Sequence, residues 1–475
     1  MRFDEVCGKV SSQDVYRRYH LRTDSAPDVA SLPSPFRVKV SKPGLAGFLL
    51  KELVQYRGNR TIILNRPCMY GVFSGPVGGF APRDHLCVGC LRCTTQYPEF
   101  VQILPNPARS SLGDSYFTPD RVDAVCYEAR SGKIPVKGAG YRGPFGGDGW
   151  DGLWTDMSEI VRPTRDGIHG REFISTVIDI GAKPSRLTFA DGEPSRQAPQ
   201  VFSIPIPVLF DAPPASLLTD TFLKTLTTAA EATETLVVLP VESLGKSAPR
   251  GRHIVPLITH SNLAALQQLD FEPAMLEVDE WDQQLFAEVQ ARFPRSVVCL
   301  RMELPATDAL LHAVGAGVRV FHLLANYHGR GSDGRFATDL FREAHQALVA
   351  QRCRDEVTIL GGGGIIAAEH VPKAIICGCD GISLDTPLFV ALQAQFAGEA
   401  TSRQRSSFKL PSRFTVDWGV MRITNLIASW RDQLLEVMGA MGLREVRRMR
   451  GELGRAMFQT DLEKEGFSDI AGYVS

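Results

Sequence analysis

After Ser203 the chain settles into a regular alternation. Short apolar and β-branched runs are each followed by a stretch whose apolar residues recur at three and four positions. PVLFD precedes LTDTFLKTLTTAAEA, LVVLP a short connection, and IVPLIT the stretch NLAALQQL. AMLEVD leads into EWDQQLFAEVQARF, VVCLRMEL into ATDALLHAVGAG, and RVFHLLAN into ATDLFREAHQALVAQ. VTILGGGGI precedes AAEHVPKAIICG, and GISLD precedes TPLFVALQAQF. Eight strand-and-helix units in about 190 residues predict an α/β fold, a parallel (β/α)8 TIM barrel over 203–398. A doubly wound open sheet is the alternative, but eight units and no early GxGxxG turn favour closure.

The flanking segments read differently. Residues 1–117 are loop-rich, with LAGFLLKELVQYRG as a helix and TIILN as a short strand, and predict a small separate domain. Residues 118–202 form a connecting segment rich in glycine, arginine and aromatics. There Arg142, Trp150, Trp154, Asp156, Arg162, Arg165, His169 and Arg171 crowd among glycines that let backbone and cations approach an anion. An elaborate surface loop is the other reading. In 399–475, EATSRQRSSFKLPSR predicts a linker over the surface. A helix follows, with Ile423, Leu426, Ile427, Trp430, Leu434 and Met438 along one apolar stripe.

With 52 basic and 53 acidic residues in 475, the net charge of -1 gives no reason to expect nucleic acid or a membrane surface as partner. Apolar stretches stay below the roughly 18 residues that cross a bilayer, and MRFDEVCGKV lacks a signal peptide's apolar core. Ten cysteines, several inside apolar runs, suggest a reducing compartment, so a cytoplasmic location is expected.

Three of those cysteines change the picture. Cys87, Cys90 and Cys93 in HLCVGCLRCTTQYPEF have the C-x2-C-x2-C spacing with which one tight loop supplies three thiolates to an iron-sulfur cubane. Tyr97 stands before Pro98 where a two-cluster ferredoxin has a further cysteine, so one 4Fe-4S cluster is expected, its fourth ligand coming from elsewhere. Cys68, in RPCMYGVFSG, is the nearest upstream thiol. Zinc prefers two separated C-x2-C pairs.

A barrel keeps its chemistry at the carboxyl ends of its strands. Strand seven ends in Gly361-Gly362-Gly363-Gly364-Ile365, and strand eight in Asp385-Thr386-Pro387 before a helix. Exposed backbone N–H groups and a helix N-terminus there suit a phosphate.

GGGGIIAAEHVPKAIICGCDGISLDTPLFVAL resembles the phosphate-binding end of the FMN barrel of glutamate synthases. NLIASWRDQLLEVMGAMGLREVRRMRG resembles that domain's C-terminal helix, and GPFGGDGWDGLWTDMSEIVRPTRDGIHGRE resembles the archaeal-type glutamate synthase-related proteins, in which a ferredoxin-like iron-sulfur stretch precedes the barrel. The resemblance implies FMN-phosphate positions at Gly363, Gly364, Ile365, Gly381, Ser383 and Thr386. It implies an oxidoreductase that takes electrons through the cluster and reductively aminates 2-oxoglutarate with ammonia to L-glutamate. Separate electron-donor and amidotransferase chains are implied too, since this sequence shows neither an amidotransferase start nor a nucleotide-binding fingerprint.

Departures from the pattern are equally specific. Cys299 stands where the family has a lysine near the flavin, and Arg301, two residues on, is expected to supply that cation. Ile366 replaces a common polar residue, Asp385 replaces a glycine, and the family's three-cysteine run after strand eight is missing. In LLANYHGRGSDGRF, Asn326, His328 and Arg330 face the expected substrate, with His328 a catalytic candidate beside Arg301 and His322 a core histidine. A dicarboxylate calls for arginines, whose planar fork pairs with it twice. Two alternatives stand beside this reading: a flavin and iron-sulfur enzyme for another amino acid or imine, and a flavin-free binding or assembly subunit.

Overall fold

A computed structural model describes residues 19–59, 68–135, 146–155, 174–183, 189–190, 193–194, 200–244 and 250–472. Asp156, Arg142, Arg162, Arg165, His169, Arg171 and the expected strand TIILN lie outside them.

The amino-terminal domain is an antiparallel pair, β1 (Phe36–Val40) with β2 (Val101–Pro105), carrying helix α1 (Lys42–Gln55) and the short helix α2 (Arg92–Gln96). Ser41 caps α1 and Pro43 sits in its first turn, both favoured at a helix start. The domain has its own small core of Val38, Leu45, Val72, Phe100 and Val101, with Phe48, Tyr97 and Phe100 in mutual ring contact. Helix α3 (Pro119–Ser131) then crosses to the main body.

That body is a closed eight-stranded parallel barrel, as the alternation predicts. Its strands run β5 (Val208–Phe210), β6 (Val237–Pro240), β7 (Ile254–Ile258), β8 (Met275–Asp279), β9 (Val297–Glu303), β10 (Val320–Leu324), β11 (Thr358–Gly362) and β12 (Gly381–Leu384), and β12 pairs back onto β5. Before them an antiparallel ribbon, β3 (Ile178–Gly181) with β4 (Val201–Ile204), covers the amino-terminal end: Ile178 meets the start of β12, and Gly181 bonds Thr358. Six of the eight strands are followed by an α-helix: α4 (Asp220–Ala232), α5 (Gln283–Arg292), α6 (Thr307–Gly315), α7 (Ala337–Ala350), α8 (His370–Ile376) and, after the last strand, α9 (Thr386–Ala391). NLAALQQL, expected as a helix, forms a 3-10 turn at Leu263–Gln268, and β6 is followed by another. The long helix α10 (Val416–Ala440) packs its stripe inward, with Ile423, Leu426, Ile427, Trp430, Leu434 and Met438 all buried. Its Arg422 donates to Ala26 O and Asp28, and Asn425 to Asp24 O and Ala129 O, which ties the amino-terminal segment and α3 to the barrel.

The amino-terminal end of the barrel is held by charge. Buried Asp380 accepts from Arg354 at 2.8 Å, Arg450 at 3.0 Å and Lys183 at 3.1 Å, and Arg354 Nε donates to His345 Nδ1 at 3.0 Å. Burial, with Arg354 and Arg450 beside it, pushes the His345 pKa down to about 4. The unfolded chain binds that proton near the ordinary value of about 6.5, and the native state does so only near 4. Stability is therefore complete above the ordinary value and falls as pH drops through this window. Urea midpoints at pH 7.5 and 5 should show the loss, and His345→Gln should flatten it; an unchanged slope in the variant would assign the loss to other groups.

Candidate functional site

Two places carry chemistry. In the first, Cys68, Cys87, Cys90 and Cys93 line a single pocket with Tyr70, Val72, Phe73, Val88, Gly89, Leu91 and Ile103. The loop that presents three of them turns sharply. Gly89 has φ +67°, and a Cβ there would lie 2.3 Å from the Phe36 ring, so glycine alone lets the loop lie against β1. Leu91 takes a left-handed φ of 59° and starts α2. Burial raises the Cys87 and Cys93 pKa values, and the neighbouring sulfurs raise them further, whereas backbone N–H groups of Gly89 and Thr94 pull them down. Cys87 and Cys93 thus resist ionisation until a cation neutralises them. The Thr94 hydroxyl is buried beside Cys93 without a hydrogen bond of ordinary geometry, a donor left over for a cluster's sulfur.

Zn–S bonds of about 2.3 Å put neighbouring sulfurs about 3.8 Å apart. Among the described residues, no three of the four cysteines bring their sulfurs within 4.8 Å of one another. Four thiols around one pocket are the donor set a cubane takes, and a cubane spaces its cysteines more widely than a single ion does.

The second place is the carboxyl-terminal mouth of the barrel, which is filled by ion pairs. Arg301, on β9, donates to Asp211 at 2.8 Å and to Glu277 at 3.1 Å. Glu277 meets His322 Nδ1 at 2.5 Å, and His322 Nε2 meets the Ser383 hydroxyl at 2.7 Å. Above them Arg403 reaches in: it donates to Asp211, to Asp385 at 2.8 Å and to Ala325 O at 3.1 Å, and lies 4.9 Å over the Tyr327 ring. Burial alone would raise the Asp211 pKa, but Arg301 and Arg403 outweigh it and hold the carboxyl well below the usual range. Beside them a cavity of about 210 Å³ opens between Glu303, Asn326, Arg330, Ser332, Arg403 and Gln404.

The expected flavin positions show how the mouth is closed. Gly363 and Gly364 have φ of +112° and +68°, and their carbonyls, though not the N–H groups a phosphate would take, are fixed: Trp150 Nε1 donates to Gly363 O at 3.4 Å and the Tyr116 hydroxyl to Gly364 O at 2.8 Å. Residues 361–368, Ile365 included, are buried. Lys373 donates to Trp150 O at 2.7 Å, while Arg121 and His370 hold Asp151, so the 149–152 turn clamps this loop. Both donors of Thr386, its N–H and its hydroxyl, go to Asp385 Oδ1. Ser383 faces inward to His322, and Gly381 opens β12 at the opposite end of the barrel, so neither reaches a phosphate at the mouth. Arg301 is committed to two carboxylates rather than to a flavin edge. In this arrangement the residues do not fit FMN.

The 399–406 stretch, expected as a linker over the surface, instead sends Arg403 into the mouth, because two buried carboxylates there need a second cation. Removing that cation should open the site. Arg403→Ala is expected to quench added FMN's fluorescence, whereas the unaltered protein should not; stoichiometric quenching by the latter would contradict this geometry.

His328 sits on the rim of the mouth. Its Nε2 lies 2.9 Å from Asp114 and 3.9 Å from Glu399, and its ring stacks 5.2 Å from Tyr116. Asn326 Oδ1 accepts from the N–H groups of His328 and Arg330 and so shapes the loop after β10. His322 is the core histidine expected. Asp211, Glu277, Arg403, Asp114 and Tyr116 were not singled out by the sequence reading. A signal existed for Glu277, an ionisable residue inside the apolar run AMLEVD that must be paired if buried.

Comparison with known proteins found no matching family model. The archaeal-type glutamate synthase [NADPH] of Dehalococcoides mccartyi is 21% identical over 440 residues, covering 78% of this chain and 86% of the relative. In Thermotoga neapolitana, the like-named protein is 31% identical over 116 residues, 22% of this chain and 23% of its own length. Among solved structures, mandelate oxidase superposes with a TM-score of 0.38 at 15% identity, over 62% of this chain and 97% of its own. A flavocytochrome b2 superposes at 0.41 and 11% identity, over 68% and 90%, and both likenesses are too slight to carry chemistry. The archaeal glutamate synthase [NADPH] of Archaeoglobus fulgidus is 22% identical over 475 residues, 84% of this chain and 92% of its own. With barrel, cysteine loop and alignment spanning most of both proteins, this chain is a distant relative of the archaeal-type glutamate synthases.

Proposed function

We propose that the chain is an iron-sulfur oxidoreductase of the glutamate-synthase type, whose four cysteines hold a 4Fe-4S cluster and whose barrel mouth takes a small carboxylate. The observation that carries this reading is the convergence of Cys68 with Cys87, Cys90 and Cys93 on one pocket. When bound, such a cluster accepts and releases single electrons. The thiolates hold it, and the Gly89 and Thr94 N–H groups offset their negative charge.

The finer reaction, formation of L-glutamate from 2-oxoglutarate and ammonia, is supported by the names of the relatives and by the arginines at the mouth. Arg330 and Arg403 line a cavity of about 210 Å³, small for a flavin beside the roughly 300–1,000 Å³ of ordinary ligand pockets, yet of a size for a small dicarboxylate, with Arg330 the fork at its wall that is not committed to buried carboxylates. His328, oriented by Asp114, stands at the rim with a ring nitrogen to hold or pass a proton. Electrons and ammonia would come from other chains. FMN, which the resemblance implies as hydride donor, finds Thr386 bonded to Asp385, Ser383 turned to His322 and Arg301 paired with two carboxylates. That closure favours a second reading, in which the barrel binds its carboxylate without flavin and no flavin step belongs to this chain.

Titration calorimetry with 2-oxoglutarate, alongside flavin quantification of the isolated protein, tests both readings. Binding that weakens at least tenfold in Arg330→Ala is expected, with flavin well below one per chain. Full flavin occupancy would dismiss the flavin-free reading, and 2-oxoglutarate binding indifferent to Arg330 would remove the mouth as its site.

A further inference from the structure

We infer that the cysteine-bearing domain is a docking face for a small acidic protein that delivers single electrons; this rests on the cluster reading above. The charge along the chain is uneven. Between Phe36 and Pro105 stand nine lysines and arginines against three acids, Glu52, Asp84 and Glu99, although the whole chain carries a net charge of -1. The seven basic residues in the described part, Arg37, Lys39, Lys42, Lys51, Arg57, Arg83 and Arg92, are all exposed. Glu52 is buried, the half-buried Asp84 accepts from the Val38 N–H, and Glu99 is the one exposed acid among the described residues of this stretch. The surface of this domain is thus strongly positive on an otherwise acidic molecule.

The thiols sit within this positive domain. Phe36, at the start of β1, packs on Gly89 between Cys87 and Cys90, and Arg37 and Lys39, which alternate with it, project from the opposite, exposed face of the same strand. Arg92 lies between Cys90 and Cys93. Cys90 is itself exposed, and its neighbours present apolar surface: Leu91 is 45% exposed, and Met69, next to Cys68, is 84% exposed.

An apolar rim at a redox edge, on a domain whose surface carries one sign of charge, suits a brief encounter with a carrier of opposite charge. Long-range attraction speeds the approach, and a small apolar contact lets the partner leave. A nucleic acid would use the charge but gain nothing from an apolar rim at an exposed thiol. The step is one electron passed from the carrier's reduced centre to the oxidised cluster, with no proton moved and no bond made.

The experiment uses the full-length, cluster-loaded protein without oxygen, with a reduced acidic plant-type [2Fe-2S] ferredoxin as probe and stopped-flow absorbance as readout. The second-order rate should fall at least tenfold between 50 and 500 mM salt. It should fall at least tenfold in Arg37→Glu/Lys39→Glu/Lys42→Glu at low salt, with iron content and the rate of reduction by methyl viologen radical unchanged. Rates indifferent to salt or to the charge reversal, in iron-loaded protein, would overturn this inference alone. Tight binding of duplex DNA that the same variant loses would overturn it in favour of a nucleic acid. Protein that takes up no iron would instead defeat the cluster reading beneath it.

Discussion

Replacing Cys90 by serine should reduce iron from about four atoms per chain to below one and abolish the broad visible absorbance of a cubane, without unfolding the barrel. Cys90 is the exposed member of the set, so its loss removes a ligand and little packing. Cys68→Ser should do the same if the fourth ligand is the upstream thiol that lines the same pocket. A third variant, Cys126→Ser, is the control: Cys126 is a buried thiol on α3 beside Val390 O, far in sequence from the cysteine loop, and its iron content should stay at the unaltered level. Full iron in Cys90→Ser would show that this residue is no ligand.

Arg301→Met should destabilise the barrel by about 3–5 kcal/mol, the usual result of breaking a buried ion pair by removing one partner. Asp211 and Glu277 are each fully buried, and Arg301 is the cation they share. Arg403 still reaches Asp211, and His322 still reaches Glu277, so the loss is bounded rather than total. Pairing Arg301→Met with Asp211→Asn should recover part of the stability, since no bare charge then remains at that position. Urea unfolding followed by far-ultraviolet circular dichroism measures both. A single variant as stable as the parent would mean that the network contributes nothing net.

The barrel was legible because its strands are short apolar runs between helical stretches at regular spacing, and each run from PVLFD to GISLD contains a barrel strand. One connection was less so. NLAALQQL has helical apolar spacing, but only a single 3-10 segment forms there, with Leu266 as its buried anchor. At the cysteine loop, the C-x2-C-x2-C spacing marks three thiols in the sequence itself, and the structure brings Cys68, the nearest upstream thiol, to the same pocket; that the four ligate a cluster is the proposal.

The mouth was harder for a physical reason. Its network joins residues 18 to 192 positions apart, with Arg301 and Asp211 90 apart and Arg403 and Asp211 192 apart, and no local pattern marks such a pair. Arg403 lies in a polar stretch whose composition reads as solvent-exposed, and only the buried carboxylates across the barrel explain why it turns inward. The glycine run after β11 was read for its freedom to meet a phosphate. The structure uses that freedom to bring Gly364 against Gly329 and Tyr116, where an added Cβ would come within 3 Å of both.

The account depends most on the four cysteines sharing one inorganic centre. Iron, acid-labile sulfide and zinc, measured together on protein prepared and kept without oxygen, test this most directly. About four iron and four sulfide per chain, with zinc negligible, is the predicted result; one zinc per chain and no sulfide would contradict it.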